Sequence, residues 1–411
     1  MKISIVIPTR ERADYLGASI RTALAIKDDA LEVVVNDNAS GDHTREVVEG
    51  FDDTRLLYFN AGARVSMREN FNLGVANSTG DYVIVIGDDD GVLPRQIQML
   101  RSVLETHRPD GVSWNRATYV WPVGDFGRKT GGVRFYRDGM FGGPRAYDPA
   151  QKAQALLQGR LSDMVPTPNI YHGCVSRAYL ERIAPAPGLF FDSSIPDVNF
   201  EYRTILTGGR FLHCDHAFSI NGISPASNGN AYKGFATDDP RSKPAQQFEA
   251  ETRADTLRDV LENARFVPLC LFASLETVRE RMDEAREPDY SAWYRMLLSS
   301  AQNRGETTAQ VETILRDYAD VIGRPGLMDK AAALPRKRKK TLGQRIARLR
   351  SQANSFRRSA EMEGANTILT AAQVYDSVLD RDFDRVTGAE ISPNRAWRGA
   401  LSRARSFAKQ I

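Results

Sequence analysis

The chain has 411 residues, 42% hydrophobic and 26% charged, with a formal net charge of +3, a composition typical of globular proteins and large enough for two domains. Its three cysteines, Cys174, Cys214 and Cys270, lack C-x-x-C spacing, which suggests neither a disulfide framework nor a cysteine zinc site and fits a reducing cytosol. The opening apolar run stops at Pro8, too short for a signal peptide, and no later run approaches the roughly 20 apolar residues of a membrane-spanning helix.

Ile3 to Ile7 is apolar and β-branched, Asp14 to Ile26 has helical spacing and Leu31 to Val35 is again a strand. Asn38 to Asp42 forms a polar turn into a helix over Thr44 to Phe51, and Arg55 to Phe59 is a third strand. This βαβ rhythm implies a parallel sheet. Arg68 to Ala76 is a helix, and Tyr82 to Ile86 is a buried strand running into Gly87-Asp88-Asp89-Asp90-Gly91. Ligands of open α/β sheets sit beyond the carboxyl ends of strands, so the loops after Ile7, Val35 and Ile86 should meet in one crevice.

A helix over Pro94 to Thr106 and a strand near Gly111 to Trp114 follow, then a glycine- and aromatic-rich stretch from Tyr119 to Pro144 that reads as a loop or short hairpin. Helices are expected over Asp148 to Gly159, Ser176 to Ile183 and Asp197 to Thr207, and a strand over Arg210 to Cys214. Beyond Pro240 the pattern is helical, with periodic segments over Ala250 to Ala264, Phe266 to Arg281, Ala292 to Gln302 and Thr308 to Ile322. The expected organisation is an α/β domain over 1–230 and a mainly helical region over 240–411.

Three successive aspartates on a glycine-flanked turn concentrate negative charge that calls for a cation, and a hard divalent ion takes carboxylate and diphosphate oxygens together. A solvated acidic turn or a helix cap before Pro94 is the bland alternative. No G-x-G-x-x-G or G-K-[ST] phosphate loop occurs, which argues against dinucleotide-binding dehydrogenases and P-loop enzymes.

The order and spacing of four features resemble family 2 glycosyltransferases. They are Ile3 to Arg10 with its Pro-Thr turn, Glu32 to Ser40 with Asp37-Asn38-Ala39-Ser40, Asn70 to Asp81, and Gly87 to Asp90 in place of the D-x-D region. The resemblance covers residues 1 to 115 specifically, weakens towards 225 and is silent beyond.

It implies an A-type fold, a Rossmann-like nucleotide-diphospho-sugar domain with a mixed central sheet, and inverting sugar transfer from a nucleotide-diphosphate-sugar donor with Mn²⁺ or Mg²⁺. Pro8, Thr9 and Arg10 would line the nucleotide pocket, Asp37 would accept a hydrogen bond from the base, and Arg64 or Arg68 would face the diphosphate. Helix-capping or solvated roles are the alternatives for Asp37, Arg64 and Arg68. The family often writes Asp-x-Asp-Asp where this chain has Gly87 first. Asp89 is then the expected metal ligand, with Asp88 at the ribose and Asp90 as a supporting or additional ligand. His216 would join the metal shell.

Asp197, opening a helix after Pro196, matches the position of the family's catalytic carboxylate, with Asp192 and Glu201 as rivals and a helix N-terminal carboxylate as the structural alternative. Tyr171 and His172 would line the acceptor site, and Ser224 to Gly229 would form a loop closing on the donor. The expected acceptor is a glycan, lipid-linked in the default case, within bacterial surface polysaccharide or glycoconjugate synthesis. A sugar nucleotidyltransferase, or a non-catalytic carbohydrate-binding scaffold of the same fold, are the competing readings.

One charge run stands apart. Arg336-Lys337-Arg338-Lys339-Lys340 opens a basic segment over 336–358 in which Leu342, Ile346, Leu349, Ala353 and Phe356 recur at helical spacing. It reads as a basic amphipathic helix that holds a cytoplasmic enzyme against an anionic inner membrane face, or packs on the helical region. Nucleic acid is disfavoured, because Phe356 is its only aromatic.

Overall fold

The computed structural model describes residues 1–123, 130–225, 227, 250–251, 260–261, 266–302, 306–333 and 354–407. Its first strands are β1 (Ile3–Thr9), β2 (Leu31–Asp37), β3 (Leu56–Asn60), β4 (Tyr82–Val85), β5 (Gly91–Val92) and β6 (Gly111–Trp114). Then come β7 (Ala117–Val120), β8 (Gly132–Tyr136), β9 (Pro144–Tyr147), β10 (Gly173–Ser176), β11 (Phe211–Cys214), β12 (Ser219–Ile223) and β13 (Ser355–Ser359).

Eight of these form one sheet in the order β3-β2-β1-β4-β10-β6-β11-β9. β1 to β4 are mutually parallel, β10 is antiparallel to both β4 and β6, β11 is parallel to β6 and β9 is antiparallel to β11. Six strands therefore end on one edge. Successive side chains alternate between faces: Ile3, Ile5, Ile7, Val33, Val35, Ile84 and Ile86 fill one core, and Val6, Val34, Val83 and Val85 the other. Burial on both faces explains the unbroken apolar runs.

A buried polar tie locks the amino end of this sheet. Ser4 Oγ donates to Glu32 Oε1 at 2.6 Å and Thr79 Oγ1 to Oε2 at 2.8 Å, while Lys2 Nζ lies 2.5 Å from Oε2. Burial would raise the Glu32 pKa, but Lys2, Ser4 and Thr79 outweigh it and bring it to about 2. A depressed carboxyl contributes stability that is present above its unfolded value, about 4.3, and lost as pH falls through the folded one. Glu32→Gln should thus cost about 1.5–3 kcal/mol at pH 7, and the gap to wild type should close between pH 4 and pH 2 in denaturant titrations. A gap independent of pH would show that packing, not charge, accounts for the loss.

The second sheet runs β13-β8-β7-β12-β5. The stretch from Tyr119 to Pro144 is thus the hairpin alternative, with β7 and β8 antiparallel and Tyr119 opposite Val133, although 124–129 lie outside the described residues. Helices Ile368–Leu379 and Pro393–Phe407 cover this sheet, and Tyr119, Phe135, Val374, Tyr375 and Ala400 share its core. Helices Val267–Arg281, Tyr290–Ala301, Glu306–Val321 and Leu327–Ala333 form a separate core around Phe272 and Trp293, as the helical periodicity predicts.

The basic amphipathic helix over 336–358 needs correction at its end. Residues 336–350 lie outside the described residues, as do 351–353, but Ser355–Ser359 is an edge strand paired with β8. Phe356 stacks on Phe135 with ring centroids 4.7 Å apart, so a tertiary strand pairing overrides the helical period there. The three cysteines are free and buried. Among the described residues no helix is long and apolar enough to cross a membrane.

Candidate active site

The turn after β4 sits where the carboxyl ends of β1, β2 and β4 converge. Each aspartate there has different partners. Asp88 accepts from Thr9 Oγ1 at 2.8 Å and Arg12 Nη1 at 3.0 Å. Asp89 Oδ2 accepts from the hydroxyls of both Ser224 and Ser227 at 2.6 Å, and Trp121 Nε1 donates to its carbonyl at 2.9 Å. Asp90 Oδ1 accepts from Gly222 N at 2.7 Å, and Oδ2 from Gly87 N at 2.8 Å and from the Tyr171 hydroxyl. His172 Nε2 lies 3.0 Å from the same Oδ2, with its Nδ1 2.8 Å from Ser219 Oγ.

Glycine at 87, where the family pattern has an acid, has a steric cause. A Cβ there would lie 2.8 Å from the Tyr171 hydroxyl and 2.9 Å from Asp90 Oδ2, so the Tyr171–Asp90 bond occupies the space a side chain needs. Gly222 is constrained likewise, since its Cβ would fall 1.7 Å from the Asp89 carbonyl oxygen.

Charge is crowded in this turn. Burial and the neighbouring Asp90 carboxylate push the Asp89 pKa up to about 6, against the pull of Arg12. Burial also raises Asp88, again opposed by Arg12. For Asp90 burial acts the same way, but His172, Tyr171 and the Gly87 amide prevail and hold it below the usual range.

Asp197 lies in the first turn of helix Pro196–Thr207. Its pKa is raised by burial, against the Val198 amide and the charges of Arg116 and His172. Tyr171 feels the charges of Asp90, Asp89 and Asp197 together, so the acidic turn and Asp197 lie in one electrostatic neighbourhood. The rivals fare differently. Asp192 is fully buried against Arg203 at 2.5 Å, a structural ion pair. Glu201, one turn beyond Asp197, is pushed up to about 8 by burial and by the Asp197 charge, and so keeps its proton at neutral pH.

Among the residues expected to hold the nucleotide, Pro8 and Thr9 pair with Asn36 and Asp37 at the ends of β1 and β2. The Asp37 carboxylate accepts from Ser40 N at 3.0 Å, Tyr58 Oη at 2.7 Å and Asn60 Nδ2 at 2.9 Å, so it shapes its own turn. Arg10 pairs with Glu251, its Nη2 2.8 Å from Oε1, and Arg64 pairs with Glu11. Arg10 and Arg64 lie close enough to lower the Arg10 pKa, although burial does more. Arg68 stands in the first turn of helix Met67–Ala76.

His216 is a correction. Its Nδ1 accepts from Phe141 N at 3.1 Å, its Nε2 lies 2.9 Å from Gln96 Oε1, and its ring stacks on Phe383 at 4.4 Å. Burial lowers its pKa to about 3, and with both nitrogens engaged it is a neutral core residue with no lone pair for a metal. Asp90, expected as a further ligand, has four contacts that tie the turn to β12, Tyr171 and His172, while both Asp88 oxygens and Asp89 Oδ2 are also hydrogen-bonded.

Sequence reasoning passed over Arg12, whose charge is held by Asp88 and Asp89 against burial, and the two serine hydroxyls on Asp89. The expected donor-closing loop from Ser224 supplied their only signal. Among the described residues no group of three or more His, Cys, Asp or Glu is arranged to hold a metal. A nucleotide-bound Mg²⁺ takes one or two carboxylates and completes its shell with phosphate and water, and Asp89, crowded by like charge, suits that smaller demand.

Residues 4–171 match the family model described as Glycosyl transferase family 2. Among curated relatives, the GalNAc(5)-diNAcBac-PP-undecaprenol beta-1,3-glucosyltransferase of Campylobacter jejuni is 31% identical over 102 residues, 24% of this chain and 33% of that protein. Abequosyltransferase RfbV of Salmonella typhimurium is 29% identical over 112 residues, 26% and 33% of the two chains. The chain thus spans about a third of the length of these relatives.

Among solved structures, residues 1–349 of S. aureus TarS with UDP-GlcNAc align with a TM-score of 0.42 at 14% identity, covering 80% of this chain and 89% of that one. The mannosyltransferase PcManGT of Pyrobaculum calidifontis, in complex with GDP-Man and Mn²⁺, aligns with a TM-score of 0.38 at 16% identity over 79% and 88%. The mixed α/β sheet, followed by a helical C-terminal region, agrees with the architecture expected above, and residues 4–171 are where the chain is similar to glycosyl transferase family 2.

Proposed function

We propose that the protein transfers a sugar, with inversion, from a nucleotide-diphosphate-sugar to a hydroxyl of a glycan or lipid-linked acceptor. The observation that supports this reading is that Tyr171 and His172 bond to Asp90 of the acidic turn and lie near enough to Asp197 to interact with its charge. Pro8, Thr9, Arg10, Asp37, Arg64 and Arg68 line the nucleoside and diphosphate side. Arg10 and Arg64 give up Glu251 and Glu11 for phosphate oxygens, which bind the guanidinium fork equally well.

Asp197 takes the proton of the acceptor hydroxyl. The oxygen attacks the anomeric carbon from the face opposite the diphosphate, the carbon–diphosphate oxygen bond breaks, and the nucleoside diphosphate leaves. Mn²⁺ or Mg²⁺ on Asp89, with Asp88 beside the ribose, would offset charge on the departing diphosphate. Tyr171 and His172 keep the acidic turn in register with Asp197.

The name of the Campylobacter relative carries a polyprenyl-diphosphate-linked glycan, which favours a lipid-linked acceptor in surface glycoconjugate synthesis. The Arg336–Lys340 run would then serve as a peripheral contact with anionic lipid on the cytoplasmic side.

The test is nucleoside diphosphate release from UDP-, GDP-, dTDP- and CDP-sugars with Mn²⁺ or Mg²⁺, and with chelator. One donor should give metal-dependent release and raise the melting temperature. No release from any donor, with or without acceptor sugars, would refute the reading.

A further inference from the structure

The active edge of the main sheet continues past Asp197. The carboxyl ends of β6 and β11 carry Asn115 and Arg116 and, beside them, Asp215 to Ala217. Asn115 N donates to the Cys214 carbonyl at 3.4 Å and to the His216 carbonyl at 3.1 Å, which ties the two strand ends together. Tyr136 at the end of β8, Asp138 and Gly139 just beyond it, and Tyr375 of helix Ile368–Leu379 face them across an open cavity of about 410 Å³. Nothing in the proposed transfer uses it so far.

We propose that this cavity binds a neutral sugar ring of the acceptor, on the side of Asp197 away from the donor. The role as acceptor subsite rests on the glycosyl-transfer reading, but the binding itself does not. Its position fits, because ligands of such sheets gather along the carboxyl edge and the ends of β1, β2 and β4 are taken by the donor side. Arg116 lines the cavity, and its charge reaches both Asp197 and Glu201, so one wall of the cavity is within electrostatic range of the base. Its volume lies within the range of about 300–1,000 Å³ usual for small-molecule sites.

The lining fits a polyol. Asn115, Arg116, Asp138, Asp215 and Tyr136 bring amide, guanidinium, carboxylate and phenol groups together, and these pair with vicinal hydroxyls as donors and acceptors. The Asp215 carboxylate is held in place by Arg145 at 2.8 Å and Asn115 at 3.3 Å. Tyr136 is 39% exposed; Arg134 lies over its ring, 5.3 Å from the centroid, and the exposed remainder offers an aromatic surface for the C–H face of a sugar. The lining carries both signs of charge, Arg116 beside Asp138 and Asp215, and Arg145 pairs with Asp215, which favours a neutral ligand over an ionic one.

Saturation-transfer NMR on the full chain, with the methyl glycosides of glucose, galactose and N-acetylglucosamine as probes, tests this directly. At least one glycoside should receive saturation from the wild type, and Tyr136→Ala and Asp138→Asn should each reduce the signal several-fold. Both residues are solvent-exposed, and a melting curve for each variant checks that its fold is intact. No transfer to any of the three glycosides, or undiminished transfer in both variants, overturns the proposal. Nucleotide release by the wild type is scored separately. If a glycoside binds and the variants lose it while no donor is turned over, the cavity stands as a sugar site and the glycosyl-transfer reading falls.

Discussion

Asp197→Asn should lower turnover by roughly 100-fold or more while leaving donor affinity near wild type, the pattern expected when a general base is removed. Asparagine keeps the size of the side chain and its place in the first turn of helix Pro196–Thr207 but cannot take a proton. The pH profile separates Asp197 from its neighbour. Burial raises the Asp197 pKa, so wild-type activity should fall on an acid limb lying above the ordinary aspartate value of about 3.9. Were Glu201 the base, its pKa of about 8 would place that limb well above neutrality. Steady-state kinetics across pH 4–9 on both proteins decide the matter. Normal turnover in Asp197→Asn, or a limb near pH 8, would transfer the role to Glu201.

The parts of this site that could be read from sequence are those in which one residue type has one job. Continuous β-branched runs around Ile5, Val34 and Ile84 admit only strands buried on two faces, and the triple aspartate after such a strand falls at the edge where the carboxyl ends of β1, β2 and β4 meet. Division of labour within the turn is different, because it depends on which backbone and side-chain groups approach from residues far along the chain. Asp90 is claimed by Gly222 and by Tyr171 and His172, and Asp89 by Ser224 and Ser227.

His216 shows the same limit. A histidine just past a strand end suits a metal equally well in sequence, and only Phe141, Gln96 and Phe383 packed around it reveal a core residue. At Phe356 the helical period is real, but stacking on Phe135 within a sheet determines the conformation. Arg12 carried no periodic or motif signal. Its importance is electrostatic, as the cation inside a cluster of carboxylates.

Asp89→Ala is expected to abolish sugar transfer and to leave residual donor binding indifferent to Mn²⁺ or Mg²⁺, because the residue acts on the donor through the cation. Loss of fold must be kept apart from loss of function. The Asp89 pKa lies near 6 in the folded protein against about 3.9 unfolded. A group raised in this way contributes stability that is present below the unfolded value and lost as pH rises through the folded one. At pH 7.5 the charge therefore works against the fold.

Asp89→Asn removes that charge and keeps an oxygen for Ser224 and Ser227. Its melting temperature should exceed the wild-type value above pH 6 and converge with it near pH 4, while transfer remains lost. Ser224→Ala/Ser227→Ala, which spares the carboxylate, should retain metal-dependent donor binding. Calorimetric titration of donor with and without Mn²⁺, run beside thermal melts of the three variants, makes the comparison. Transfer at the wild-type rate by Asp89→Ala without metal would take the cation away from this turn. If instead only the double serine variant lost the metal response, the hydroxyls rather than the carboxylate would be what organises the donor.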